Sequence, residues 1–171
     1  PVHKYYAVKS PQFSWLQMQG AYPGLGPEMK STGESGAFGR SLSEALLKSW
    51  LGSQPNKIPD KKQKILVYGT NVKMLDAAAG ILEKRFDILT TEDQYEIDGA
   101  VPMPKKSCVR EISNGRIGLV FTDGNMPEHD FEIRRTAVDM NVPVVLNARL
   151  SLELAKALAK YENYEEIAGL L

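Results

Sequence analysis

The chain has 171 residues, with 21 basic and 21 acidic side chains and therefore no formal net charge. A balanced chain has no overall field to recruit nucleic acid or an anionic membrane, and no apolar run approaches the roughly 18 residues that a transmembrane helix needs. The absence of an N-terminal signal pattern predicts a cytoplasmic protein of one domain with an extension. We expect the single cysteine, Cys108, to be a small buried side chain rather than a nucleophile, because neither His3 nor His129 is near it in sequence.

Residues 1–51 are rich in loop-forming residues and are expected to bury little surface by themselves. Six of the fourteen glycines lie between Gly20 and Gly39, and only short strand-like pieces, such as 5–8 and 36–39, accompany them. A helix then begins at Ser41, where the glutamate three residues later completes an S-x-x-E capping box. The apolar face of this helix needs a partner. A polar, proline-bearing linker follows at 52–63.

Directly after this linker the sequence predicts a strand, a turn and a helix. Residues 65–68 are an unbroken apolar run, which is typical of a strand buried on both faces. Gly69 ends the strand, and Thr70 or Asn71 can cap the helix that follows. The turn places free backbone N–H groups and the positive end of a helix dipole at the carboxyl end of the strand, and Lys73 adds a charge. Because most such turns bind nothing, an anion site here is a hypothesis.

The rest of the chain alternates between strand and helix patterns. Strands are predicted at 86–91, 117–123 and 143–146, and helices at 107–114, 130–140 and 150–158, with 92–106 left ambiguous. Short right-handed crossovers then give an α/β fold, a small doubly wound sheet of four or five parallel strands with helices on both faces. We expect 65–68, 117–121 and 144–146 to be buried central strands, 161–171 to be an outlying helix or tail, and ligands to bind at the carboxyl ends of the strands.

Two segments of the sequence resemble a known family. Residues 28–34, EMKSTGE, preceded by SPQFSW and followed by LSEALLKSWL, resemble the end of the second, carbamoyl-phosphate-forming ATP-grasp half of the carbamoyl-phosphate synthetase large subunit. Residues 64–160, including EIRRTAVDMNVP followed by LN, look like the C-terminal regulatory domain of that subunit, which has the methylglyoxal-synthase-like fold. The resemblance therefore implies an ATP-grasp remnant at 1–51, a linker at 52–63 and a methylglyoxal-synthase-like allosteric domain at 64–171.

The resemblance also implies a reaction and partners for the parent enzyme. That enzyme combines ammonia from glutamine with bicarbonate and ATP, using magnesium or manganese, in pyrimidine and arginine biosynthesis. Because the family's ATP- and metal-binding residues lie upstream of this stretch, we expect no cofactor and no synthetase activity in this chain, and only a packing role for EMKSTGE. The expected partners are the remainder of the large subunit, the glutaminase small subunit, a small effector such as a nucleotide monophosphate, and a second copy of the chain.

The family's effector site binds the phosphate of UMP or IMP, and its residues can be carried over one by one. Lys73 matches a lysine early in the first helix, and Thr91 matches one of two threonines after the second strand. Lys105 or Lys106 matches the lysine of the following loop. The predicted site requires Lys73 and Thr91 on one face of the sheet, where the turn after the first strand helps to bind the anion.

Other positions depart from the family pattern. The Asn-Thr-Thr run that binds phosphate has become 122–124, Thr122-Asp123-Gly124, and the second strand is followed by Asp93 and Gln94 in place of a glycine and a threonine. Two carboxylates, Asp93 and Asp123, thus stand where phosphate requires donors. If either points into the cleft, we expect a ligand with an amine or hydroxyl beside its anionic group, or a weakly bound phosphate, rather than a mononucleotide held by phosphate donors alone. A family glutamate that helps to bind ornithine is replaced by Ser10.

Two alternative functions belong to different classes. Methylglyoxal synthase shares the fold and eliminates phosphate from dihydroxyacetone phosphate with carboxylates and a histidine, and Asp123, His129 and Asp130 could do such acid–base work. Against this, 92–94 lacks the glycines of the lyase's GGDQ-type loop, and Asp130 is more often an N-cap residue. The third reading is a module that only mediates oligomerisation and whose effector site has decayed.

Overall fold

The computed structural model describes residues 4–13, 31–93, 97–125, 130–163 and 166–167. Its elements, in chain order, are β1 Tyr6–Phe13, β2 Ser31–Gly39, α1 Leu42–Leu51, β3 Lys64–Val67, α2 Val72–Leu82, β4 Ile88–Thr91, β5 Val101–Met103, α3 Lys105–Ser113, β6 Ile117–Phe121, α4 Phe131–Asp139, β7 Val144–Val145 and α5 Ala148–Lys160. None of the helices in these ranges is long and apolar enough to cross a membrane.

The main sheet has five parallel strands in the order β5-β4-β3-β6-β7. This confirms the predicted α/β fold with a doubly wound sheet, and it confirms 65–68 and 117–121 as buried central segments. The third predicted central strand is wrong in its position. β7 is an edge strand of two residues in which Val144 is half-buried, because β6 is the single strand among the described residues that pairs with it. A short apolar run alone does not distinguish a central strand from an edge strand.

Each face of the sheet has its own core, because successive side chains of a strand point to opposite faces. Val67 and Phe121 lie in the core that α2 and α5 cover. Leu66, Tyr68 and Val120 lie in the core that α3 and α4 cover. The helices on both faces therefore follow from crossovers of one handedness on either side of β3.

The N-terminal region forms an antiparallel ribbon, β1 with β2, against which α1 packs. The two strands are longer than the predicted pieces, and residues 31–34 of EMKSTGE lie in β2, whereas 28–30 fall outside the described residues. The side chain of Ser49 in α1 contacts the hydroxyl of Ser10 at 2.9 Å and donates to the carbonyl of Ser35 at 2.7 Å. Ser10 is thus part of the packing between α1 and the ribbon.

Helix α1 begins as its capping box predicts. The side chain of Ser41 accepts from the backbone N–H of Glu44 at 3.2 Å, and the Glu44 carboxylate accepts from the N–H of Arg40 at 2.9 Å. The apolar face of α1 packs against α5, where Leu47 and Trp50 join the core of the α2 and α5 face. The packing partner that the sequence analysis required for the apolar face of α1 is therefore α5, the last helix of the sheet domain.

Two segments differ from the sequence expectation. Residues 92–106 were ambiguous, and they contain β5, an edge strand that pairs in parallel with β4 and carries Pro102. A three-residue edge strand that contains a proline has too few positions to show the alternation of apolar and polar residues that predicts a strand. The final segment is not wholly outlying, because Tyr161 and Ile167 are buried in the core beside α2 and α5.

Arg85, after α2, stabilises the end of α5. Its Nη1 donates to the carbonyls of Leu158 and Tyr161 at 2.7 and 3.1 Å, and its Nη2 donates to the carbonyl of Glu162 at 2.6 Å. These carbonyls lie at a helix C-terminus, where intrahelical donors are lacking and a positive charge is favourable. Because hydrogen bonds to charged groups each contribute about 1.5–3 kcal/mol, we expect Arg85→Ala to lower the free energy of unfolding by about 2–3 kcal/mol in chemical denaturation.

The matched control for this substitution is the exposed neighbour Lys84. Lys84→Ala should change the free energy of unfolding by less than about 0.5 kcal/mol. Equal stability of the Arg85→Ala and Lys84→Ala variants would show that the contacts with α5 contribute nothing.

Candidate functional site

The carboxyl ends of β3 and β6 meet where the winding of the sheet changes direction. From β3 the chain passes through α2, on one face, to β4 and then β5, and it returns through α3, on the other face, to β6 on the opposite side of β3. The loops after β3 and β6, residues 68–71 and 122–125, therefore flank the switch point of the sheet. Open α/β sheets bind ligands at such a point.

Asp123 occupies this position with its own carboxylate. Its Oδ2 accepts from the backbone N–H of Thr70 at 2.7 Å, from the backbone N–H of Asn71 at 2.6 Å and from the hydroxyl of Thr70 at 2.7 Å. Its Oδ1 accepts from the N–H of Asn125 at 3.2 Å. The donors that the sequence analysis assigned to an external anion therefore bind an internal carboxylate in this structure.

The protonation of Asp123 follows from these contacts. Partial burial raises the pKa of the Asp123 carboxyl, but the hydrogen bonds from Thr70, Asn71 and Asn125 outweigh it and lower the pKa below its ordinary range. A lowered folded pKa stabilises the fold at every pH above the unfolded value of about 4, and this stabilisation is lost as the pH falls through the folded value. The carboxylate is therefore charged at neutral pH.

Gly69 makes room for this carboxylate. Its backbone has φ of 148°, in the region that favours glycine. A Cβ at this position would lie 2.9 Å from Cγ of Asp123 and 2.8 Å from Cδ1 of Leu75. The sequence indicated Gly69 as a strand breaker, and the structure adds a second reason for glycine here, the close approach of the β6 loop.

The threonines at the end of β4 point to different faces of the sheet. Ile88 lies in the core of α2 and α5, and Leu89 lies in the core of α3 and α4. Alternation places Thr90 on the first face and Thr91 on the second. The pairing of Thr91 with Met103, which packs against the α3 and α4 core, agrees with this assignment.

Lys73 and Thr91 therefore belong to opposite faces of the sheet, whereas the predicted site had them on one face; their roles in binding stay a prediction. Lys73 is an exposed residue in the first turn of α2. Lys105 and Lys106, half-buried and exposed, begin α3 and so share the face of Thr91. A ligand that contacts Lys73 as well as Thr91 has to lie across the end of β4 rather than on one face of the sheet.

The remaining candidates lie around this edge. Thr122 is buried, and its hydroxyl accepts a long hydrogen bond from the N–H of Gly124 at 3.5 Å. Asp93 lies in an exposed turn after β4, and Gln94 lies outside the described residues. Sequence reasoning did not assign Thr70 a role in binding Asp123, because the two residues are 53 positions apart and only the sheet brings them together.

The candidate acid–base residues are not available as the lyase hypothesis requires. Asp130 is 1% exposed, and its Oδ2 accepts from Tyr68 Oη at 3.1 Å and from Arg134 Nε at 2.6 Å. Burial raises the pKa of Tyr68, which therefore stays protonated as the donor. Asp130 stands at the N-cap position of α4, yet its side chain makes no capping hydrogen bond, and His129 lies outside the described residues.

Cys108 is a buried core residue, as predicted. It lies in the core that α3 and α4 cover, and its Sγ is 3.8 Å from the carbonyl oxygen of Met103. Burial raises the pKa of the Cys108 thiol to about 11, so the thiolate that a nucleophile requires is scarce at neutral pH.

Comparison with known proteins adds the following. No protein-family model matches the chain. The chain is similar to proteins named carbamoyl phosphate synthase large chain, with 47% identity over 169 residues to that of Hyperthermus butylicus and 46% over 164 residues to that of Saccharolobus islandicus. It is 44% identical over 177 residues to that of Sulfurisphaera tokodaii. These alignments cover 95–98% of this chain but 16% of each relative, so the chain spans about one sixth of the relatives' length.

Proposed function

Because nearly the whole chain is homologous to a segment of carbamoyl phosphate synthase large chains, we propose that it is a regulatory, effector-binding C-terminal region of such a subunit. We propose further that it is not catalytic by itself. The ATP, the magnesium or manganese and the glutamine-derived ammonia of the parent reaction belong, in this proposal, to other parts of the large subunit and to the glutaminase small subunit.

One observation carries the effector-binding proposal. The hydroxyls of Thr90 and Thr91 are buried, each residue being 3% exposed, and neither has a hydrogen-bond partner among the described residues. A buried hydroxyl without a partner costs about 1–3 kcal/mol, so such groups are normally satisfied by a ligand or a water molecule. Both hydroxyls lie at the carboxyl end of β4, where an α/β sheet binds its ligands.

The charges around this strand end favour a small anion with further polar groups. Lys73 lies in the first turn of α2, and Lys105 and Lys106 begin α3, so we expect cations near the carboxyl edge of the sheet from both of its faces. Asp123 adds a negative charge at the same edge of the sheet, after β6 and two strands away from β4. We therefore propose a ligand with a hydroxyl or an amine next to its anionic group, and a nucleotide monophosphate only if its sugar or base supplies those groups.

Calorimetric titration of the chain with UMP, IMP, N-acetylglutamate and ornithine tests the proposal. We expect saturable binding of at least one of these compounds, and weaker binding in a Thr91→Val variant that loses the hydroxyl. If none of the four binds and the Thr90 and Thr91 hydroxyls are satisfied by water, the effector site has decayed, and an oligomerisation role, measured by light scattering, becomes the better proposal.

Lys73 gives the sharpest test of which groups bind the effector. Lys73→Ala removes a charge-assisted contact, so we expect the affinity of the bound compound to fall by about ten- to a hundredfold. The fold should be unaffected because Lys73 is exposed. Lys84→Ala, an exposed lysine beyond the other end of α2, is the matched control and should bind as the parent does. Equal affinity of both variants would remove Lys73 from the site.

A lyase of the methylglyoxal synthase type is the competing proposal, and the geometry weakens it. Asp123 is held by three backbone N–H groups and one hydroxyl, and Asp130 is buried against Tyr68 and Arg134. Neither carboxylate is positioned to take a proton from a substrate. Release of phosphate from dihydroxyacetone phosphate by the pure chain would reverse this conclusion.

A further inference from the structure

We propose that Asp123 is a built-in anion that occupies, from within the chain, the position an anionic ligand would take at the switch point of the sheet. This goes beyond the proposed function and does not rest on it. We call the region between the loops 68–71 and 122–125 the crevice, and in the native chain it is then closed to phosphate and carboxylate ligands. Asp123 becomes the residue that determines which charge this crevice accepts.

The donor arrangement carries the proposal. Three donors converge on a single oxygen, Oδ2, at 2.6–2.7 Å: the backbone N–H groups of Thr70 and Asn71 and the hydroxyl of Thr70. Consecutive backbone N–H groups at the start of a helix, with an adjacent hydroxyl, are the arrangement that binds a phosphate or carboxylate oxygen. Here the oxygen comes from a loop that is 53 residues away in sequence.

The surrounding contacts fix the Asp123 carboxylate in place. Oδ1 accepts from the N–H of Asn125, and the side-chain amide of Asn125 donates to the hydroxyl of Thr70 at 3.2 Å. Gly124, with φ of 77°, turns the chain between them. On the other side, the missing side chain of Gly69 leaves the space that Cγ of Asp123 fills. Both loops are therefore shaped around the carboxylate.

Charge then excludes external anions from the crevice. A phosphate would have to displace a carboxylate that already satisfies the same donors, or lie beside it and repel it. Removing the Asp123 carboxylate should leave the donors exposed and convert the crevice into an anion site. The lowered pKa of Asp123 agrees with this, since the donors stabilise the charged form.

The test uses inorganic phosphate as the probe and the complete chain labelled with 15N. In an Asp123→Ala variant we expect saturable phosphate binding that shifts the backbone amide signals of Thr70 and Asn71, with an affinity at least about tenfold above that of the parent. Phosphate should also raise the Tm of the variant, whereas the parent should show neither effect. Absence of these amide shifts in the folded variant would overturn the proposal.

Asp76→Ala is the matched control. Asp76 also accepts a backbone N–H, that of Asp98 at 2.7 Å, but it lies outside the crevice, so its loss should not create phosphate binding. If Asp123→Ala does not fold, the parent chain still tests the proposal. Its Thr70 and Asn71 amides should be protected from hydrogen exchange, and phosphate should not shift their signals. Phosphate-dependent shifts of these amides in the parent would overturn the proposal. Failure of every effector titration leaves this result unchanged, so the two proposals fail separately.

Discussion

Replacing Arg134 by methionine should lower the free energy of unfolding by about 3–5 kcal/mol, the largest effect that we expect from a single substitution in this chain. Arg134 and Asp130 are each 1% exposed, and the guanidinium Nε donates to the Asp130 carboxylate at 2.6 Å. Methionine retains the apolar volume of the arginine stem but leaves a buried carboxylate without its cation. Urea denaturation of the folded variant measures the loss directly.

The neighbouring residue provides the control. Arg135 also pairs with a carboxylate four residues away in the same helix, but that of Asp139 is 56% exposed. Arg135 is itself only 8% exposed, but water can hydrate the Asp139 carboxylate once the cation is removed, so Arg135→Met should be milder than Arg134→Met. Similar losses in the free energy of unfolding for the two variants would mean that burial of the Asp130–Arg134 pair does not determine how much the pair stabilises the fold.

Gly69→Ala should have the second largest effect, a loss of about 2–5 kcal/mol, because it combines backbone strain with a steric conflict. At φ of 148° a residue with a Cβ is strained, and the added methyl group would lie within 2.9 Å of both Asp123 and Leu75. We expect the Asp123 carboxylate to be displaced from the Thr70 and Asn71 donors. Thermal and urea denaturation report the stability, and the amide signals of Thr70 and Asn71 report the displacement.

A second glycine of the same strand–turn–helix unit should respond in the opposite direction. Gly80 lies within α2, and a Cβ at this position would meet nothing within 4 Å. Gly80→Ala should therefore stabilise the chain by about 0.5–1 kcal/mol through helix propensity. If Gly69→Ala is as stable as Gly80→Ala, the close approach between Gly69 and Asp123 is not a constraint on the fold.

The sequence predicted those structural features that depend on residues close together in the chain. The apolar run at 65–68, the turn at Gly69 and the capping box at Ser41 each depend on residues a few positions apart, and all three appear in the structure. The number of parallel strands and the helices on both faces follow from the alternation of elements and the handedness of crossovers. The carboxyl edge of the sheet could therefore be proposed from the sequence as the place where a ligand would bind.

The details of the candidate site depend on contacts that sequence spacing does not reveal. The bond between Thr70 and Asp123 joins two loops 53 residues apart, and no local pattern links them. The face of Thr91 depends on which core Ile88 and Leu89 join, and that is set by tertiary packing rather than by a local pattern. Ile167 is buried because it contacts the core of α2 and α5. The pattern of a short amphipathic tail does not predict such a tertiary contact.

Helix α1 has a mechanical consequence for the whole chain. One side of α1 packs against the β1–β2 ribbon, and Leu47 and Trp50 on its other side pack into the core beside α5. A displacement of α5 relative to the sheet therefore moves α1, and the ribbon moves together with α1 as one rigid body. A change in the angle between the ribbon and the sheet therefore requires Leu47 and Trp50 to repack, because these two side chains join α1 to the core beside α5.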